Sequence, residues 1–281
     1  MKLLRFGKKG KEKPGVLDKD GIIRDVSSIV ADFGPETISP ALLRALKKAD
    51  LTALPAAPKN ARIGAAVART GHFIAIGLNY ADHAAETGAP IPKEPIVFSK
   101  APSCLSGPND DVLLPPGSVK TDWEVELAVV IGKRCDLVPE EEALSHVLGY
   151  ALCNDVSERE YQAERGGQWI KGKSAPTFGP LGPWIVTPDE ITDVQALDMF
   201  LDVNGEKAQR GSTATMIFPV AHLVSYLSRF MVLEPGDVIT TGTPPGVGLG
   251  RKPTPVFLKD GDTMRLGIAG LGEQNQKVVA R

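Results

Sequence analysis

Glycine and proline interrupt this chain so often that no long helix fits between them. The 29 glycines and 23 prolines make up roughly 18% of the residues, against about 12% in an average protein. They follow no short repeat, which sets aside a collagen-like or low-complexity chain. Helical bundles and coiled coils are excluded too, because each such residue weakens or breaks a helix. Hydrophobic residues at 42% and charged residues at 23% suffice for a packed core rather than disorder. A turn-rich, strand-rich globular protein is the expectation.

Within that frame, 281 residues allow one large domain or a large and a small one. Residues 1–60 read as a small N-terminal α/β domain. It holds a strand at Leu3–Phe6, a hairpin turning at Asp20-Gly21, and a helix capped by Ser39-Pro40 and ending near Lys48. The proline-rich stretch from Leu54 to Asn60 is the best linker, and residues 61–281 then form the second domain. From residue 70 onward, ten short strand-like runs alternate with turn signals. They include Phe73–Ile76, Ile96–Phe98, Trp123–Ile131, Gly149–Cys153 and Val238–Thr241, and Asn204-Gly205 marks a tight hairpin. Helices are expected at Ala81–Thr87, Glu140–Ser145, Ser157–Glu164 and Phe218–Leu227. The order is too irregular for a TIM barrel or Rossmann fold. A mixed α/β, β-rich core with appended helices fits instead.

A formal net charge of −2 with no basic stripe argues against nucleic acid as partner. The apolar runs are too short to span a bilayer. The opening MKLLRFGKKGKEKPG has charge but no apolar segment, so it does not read as a signal peptide. Cys104, Cys135 and Cys153 are odd in number and lack CxxC spacing. Reduced thiols and a cytoplasmic location are expected. With four histidines, His72, His83, His146 and His222, any metal would have to rely on carboxylates.

The string from Gly167 to Ser174 satisfies G-x-x-x-x-G-K-[ST], yet a phosphate loop needs a strand before it and a helix after it. Here Pro176, Gly179, Pro180, Gly182 and Pro183 follow, so no helix can start there. No G-x-S-x-G elbow and no G-x-G-x-x-G after a strand occur.

The carboxylates are more informative. Glu124 and Glu126 are two apart in a strand-like run, so a strand puts both on one face. Two half-buried like charges at that spacing repel unless a cation lies between them; the alternative is an ordinary solvated strand face. Asp155 falls at the end of the next strand-like run. Three such oxygen ligands suit Mg²⁺, Mn²⁺ or Ca²⁺. A second cluster lies between Gly77 and Gly88, where Asn79 can cap a short helix. His83 and Glu86 are i and i+3 on it, which lets the carboxylate orient the imidazole as a general base for water; a solvated surface pair is the alternative. The helix could serve as a mobile lid.

The segments GLNYADHAAETG, DWEVELAVVIGK, ALCNDVSEREYQ, KGKSAPTFGPLGPW and LEPGDVITTGTPPGVG, in this order and spacing, resemble the fumarylacetoacetate hydrolase family over residues 70–281. The opening MKLLRFG with its hairpin is similar to the small N-terminal domain of bacterial members. The resemblance implies the family's mixed β-sandwich or roll. It implies metal ligands at Glu124, Glu126 and Asp155, a lid dyad at His83 and Glu86, and a catalytic lysine at Lys173. Arg159 and Gln162 match positions that hold substrate or the activated water, and Thr243 matches a substrate contact. Lys171 reads as a surface residue.

The activity so implied is Mg²⁺- or Mn²⁺-dependent hydrolysis of a carbon–carbon bond in a 2,4-diketo, acylpyruvate-type acid. The chain is most similar to members acting on 2,4-diketo-3-deoxy sugar acids of the fuconate or rhamnonate type. The family's usual homodimer is expected. Ureidoglycolate lyase, oxaloacetate decarboxylase and isomerase activities on the same fold are the alternatives, followed by a non-catalytic ligand-binding homologue. The aromatic residues lining the namesake's pocket are not evident, which argues against fumarylacetoacetate itself.

Overall fold

A computed structural model describes residues 1–281, the side chain of Thr87 excepted. As expected, the chain is strand-rich. Its strands are β1 (Lys2–Phe6), β2 (Lys13–Leu17), β3 (Ile23–Asp25), β4 (Phe73–Gly77), β5 (Ile96–Lys100), β6 (Val112–Leu114) and β7 (Val125–Ile131). They continue as β8 (Val147–Asn154), β9 (Ile185–Val186), β10 (Asp198–Val203), β11 (Glu206–Ser212), β12 (Val238–Thr240), β13 (Thr263–Ile268) and β14 (Gly272–Ala280). The longer helices are α1 (Pro40–Lys48), α2 (Ala81–Thr87) and α3 (Val220–Leu227).

One sheet of nine strands runs β3-β2-β1-β9-β8-β7-β12-β4-β5, and a second of five runs β11-β10-β13-β14-β6. Neighbours are antiparallel except β12 with β4 and β14 with β6. Every residue of β7 and β8 is buried. Their apolar runs have little alternation because both faces are covered. Amide side chains join the two sheets: Asn154 donates to Gln276 at 3.1 Å, and Gln274 donates to the Leu152 carbonyl at 2.9 Å.

Local chemistry explains the short elements. Ser39 caps α1 by accepting from the Leu42 N–H, with Pro40 at the first helical position. Asn204 and Gly205 have φ of 53° and 80°, the pair of left-handed residues that a two-residue hairpin needs. No helix among the described residues is long and apolar enough to cross a membrane, and all three cysteines are free and buried.

Three expectations need correction. The strand read at Trp123–Ile131 starts at Val125, because the Glu124 N–H goes to the Asn154 side chain and the Trp123 N–H to Asp122. The helix read at Ser157–Glu164 divides: Ser157 and Glu158 pair with Asp122 and Thr121, and only Glu160–Glu164 is helical, as a wide π-type turn. Asn79 does not cap α2; Tyr80 precedes the helix with no side-chain cap. Asn79 is instead buried and bridges Phe218 and the Thr241 carbonyl.

Candidate active site

The pairing of β7 with β8 creates the acidic cluster. Asn154 stands opposite Val125 and Cys153 opposite Glu126. The next residue, Asp155, is thereby set beside Glu124, its N–H donating to the Glu124 carbonyl at 2.9 Å. Glu124, Glu126 and Asp155 each offer an oxygen within 4.8 Å of the others, and none is more than 6% exposed. The structure thus brings together the three carboxylates that the sequence singled out.

Cations surround them. Lys173, on a one-turn helix over Ile170–Lys173, reaches Glu124 at 2.6 Å and Asp155 at 2.8 Å. Arg159 reaches Glu124 at 2.7 Å and Asp122 at 2.8 Å, and donates to the Gln162 side-chain Oε1 at 3.1 Å. Lys100, fully buried at the end of β5, bonds Asp155 and the Lys173 carbonyl. Burial pushes the Glu124 carboxyl up, but Lys173 and Arg159 outweigh it and hold that group at about 2. Among the described residues no cation is in direct contact with Glu126; burial and then the charges of Asp155 and Glu124 push it well above the ordinary value.

This imbalance fits a divalent cation. Four carboxylates, counting Asp122, face three cations, and the uncompensated one, Glu126, sits beside two others. The donors are hard oxygens, the set that Mg²⁺, Mn²⁺ or Ca²⁺ prefers.

The second cluster closes over the same cavity. His83 Nδ1 lies 3.1 Å from Glu86. Glu86 also accepts from the Gly246 N–H at 3.1 Å, so α2 is docked on the loop after β12. The cavity, about 240 Å³, is lined by Glu124, Glu126, His83, Arg159, Gln162 and Lys173 on its polar side. Thr243 also lines it, but its hydroxyl is engaged, donating to the Val125 carbonyl and accepting from Gln209. Lys171 is exposed.

Sequence reading missed two organising residues. Asp122 is fully buried and ties Arg159 to the Gly248 and Leu249 N–H groups at 2.7 and 2.9 Å. Its position two before Glu124 continues the alternation Asp122, Glu124, Glu126, and that was the available signal. Lys100 gave none, because its partner lies 55 residues away.

The family model described as Fumarylacetoacetate (FAA) hydrolase C-terminal matches residues 72–279. A protein of Burkholderia ambifaria (strain MC40-6) is 61% identical over 276 residues, 98% of each chain. Among solved structures, the fumarylacetoacetate hydrolase from psychrophilic Exiguobacterium antarcticum is 38% identical with a TM-score of 0.86, covering 100% of both chains. The maleylpyruvate hydrolase from Sphingobium sp. SYK-6, in complex with manganese(II) and pyruvate, is 32% identical with a TM-score of 0.80, covering 100% of this chain and 99% of that one. A family match over most of the chain, joined to whole-length likeness in sequence and in structure, leads to one conclusion: this chain belongs to the fumarylacetoacetate hydrolase family.

Proposed function

We propose that the protein is a divalent-metal-dependent hydrolase that splits the C3–C4 bond of a 2,4-diketo acid into pyruvate and a second carboxylate. Among such acids we favour a 2,4-diketo-3-deoxy sugar acid, which would give lactate as the second product. The observation that carries the reading is the joint lining of one small cavity by Glu124, Glu126, His83 and Lys173, with His83 held by Glu86.

Glu124, Glu126 and Asp155 would hold the Mg²⁺ or Mn²⁺ ion, which when bound supplies Lewis acidity to the 2-oxo acid. Glu86 fixes the imidazole through Nδ1, leaving Nε2 to take a proton from water as that water attacks the C4 carbonyl. Lys173 and the amide of Gln162 offer donors to the oxygen that becomes negative there. As the C3–C4 bond breaks, its electron pair passes to C3, which is protonated from His83. Water is consumed and one carboxylic acid and pyruvate are formed, so the atoms balance. Manganese in the Sphingobium relative supports the choice of ion.

His83→Ala tests the base. Hydrolysis of acetylpyruvate is expected to fall by about 10²–10⁴-fold, the usual contribution of a general base, while Mn²⁺ binding by calorimetry stays unchanged. Undiminished hydrolysis would remove His83 from the role.

A further inference from the structure

The remaining wall of the cavity limits what the far end of the substrate can be. Its apolar side chains are Ile76, Leu78, Ile96, Phe98 and Trp169. Trp169 is seated on Gly77, where a Cβ would meet its ring at 2.6 Å. It also packs edge-on against Phe98, with centroids 5.2 Å apart and planes at 61°. Only a glycine leaves room for the indole here, so its position is set from two sides.

None of these apolar wall residues is charged, and the Lys173 ammonium, which stands 5.1 Å from the Phe98 ring centroid, is held by Glu124 and Asp155. Among the lining residues Arg159 and Lys173 carry the cations. Arg159 is paired with Asp122 and Glu124, and Lys173 with Glu124 and Asp155. A carboxylate pressed against Trp169 and Ile96 would lose its water and find no ion partner. The volume, about 240 Å³, also falls below the common range of about 300–1,000 Å³ for ligand sites.

We propose that Trp169, propped between Gly77 and Phe98, is a specificity-determining residue that admits 2-oxo acids with a short, uncharged second end and rejects those ending in a carboxylate. The proposal rests on the reading above that this cavity takes a 2-oxo acid, and it agrees with a deoxy-sugar-acid tail.

Two matched pairs of compounds test it. 2-Oxohexanoate and 2-oxoadipate have the same carbon count and end in methyl or carboxylate; butanoylpyruvate and succinylpyruvate are the corresponding diketo acids. With the Mn²⁺-loaded protein, calorimetry is expected to show 2-oxohexanoate binding at least about ten-fold tighter than 2-oxoadipate, and kcat/KM should favour butanoylpyruvate similarly. Trp169→Arg should reverse or erase the preference, and Trp169→Phe should keep it. Equal handling within the pairs, or an unchanged preference in Trp169→Arg, overturns the wall even if both diketo acids are cleaved. A binding preference without any cleavage supports the wall and removes the hydrolase reading instead. Binding of neither 2-oxo acid overturns both. Should the arginine variant fail to fold, the wild-type comparison alone decides.

Discussion

An ammonium group at the end of β5 has no solvent to balance it, and Lys100 is 0% exposed. Burial disfavours its charge, but the Asp155 carboxylate outweighs that cost and raises its pKa. Lys100→Met would leave Asp155 short of a partner in a crowded acidic cluster. We expect the metal-free protein to lose about 3–5 kcal/mol of stability, the usual result of breaking a buried ion pair, with partial recovery when Mn²⁺ is added. Denaturant melts with and without chelator measure both effects, and a loss below about 1 kcal/mol would contradict the assignment. Thr240 offers the opposite case. Its hydroxyl is buried in β12 without a hydrogen-bond partner among the described residues. Thr240→Val removes an unsatisfied group and keeps the branched shape, so a gain of about 1 kcal/mol is expected in thermal melts; a loss would show that the hydroxyl is satisfied. These residues also mark where single-sequence reading stops. Glu124 and Glu126 were legible because strand period is fixed, and Asp155 because it ends an apolar run. Lys100 and the wall residue Trp169 act only through partners that the fold supplies.

At the level of elements, α2 is latched to the loop after β12. Glu86 accepts from the Gly246 N–H, and Gly246 has φ of 102°. An added Cβ there would lie 2.1 Å from the Ala208 carbonyl oxygen. Gly246→Ala therefore combines strained dihedrals with a backbone clash. It should cost about 2–4 kcal/mol and lower kcat for acetylpyruvate by about 10–100-fold through a misplaced His83. Gly88, which ends the same helix at φ 68°, has nothing within 4 Å of an added Cβ. Gly88→Ala should cost only about 1 kcal/mol and keep most activity. Equal losses in the two variants, by melting and steady-state kinetics, would contradict the latch. The helix was legible from its flanking glycines and its i, i+3 pair, but its docking was not. The Ser157–Glu164 segment was misread for a related reason. Its polar residues resemble a solvated helix, yet Ser157 and Glu158 are fully buried because they pair with Asp122 and Thr121.

Across the whole molecule, β1 to β3 extend the large sheet through the pairing of β1 with β9, and Arg62 fastens them to the rest. Its guanidinium donates to Asp110 at 2.7 and 2.5 Å and to Glu12 at 2.8 Å; its carbonyl accepts from the Gly7 N–H. The turn at Asp20-Gly21 and the proline-rich stretch before Arg62 were readable from the sequence. The clamp was not, since Arg62 and Asp110 are 48 residues apart. Burial pushes the Asp110 carboxyl up, but Arg62 and the Gly107 N–H outweigh it and hold the group below its ordinary value of 3.8. A lowered folded-state value means that the contribution is complete above 3.8 and is lost as pH falls through the lowered one. The pair is only partly buried, so about 1–2 kcal/mol is at stake. We expect the β2 amides to lose hydrogen-exchange protection, corrected for intrinsic rate, as pH falls below about 4 while β7 stays protected. Asp110→Asn should remove this acid dependence and loosen β2 already at pH 7. Simultaneous loss of protection in β2 and β7, or an unaltered acid response in Asp110→Asn, would show that the N-terminal strands are held by sheet pairing alone.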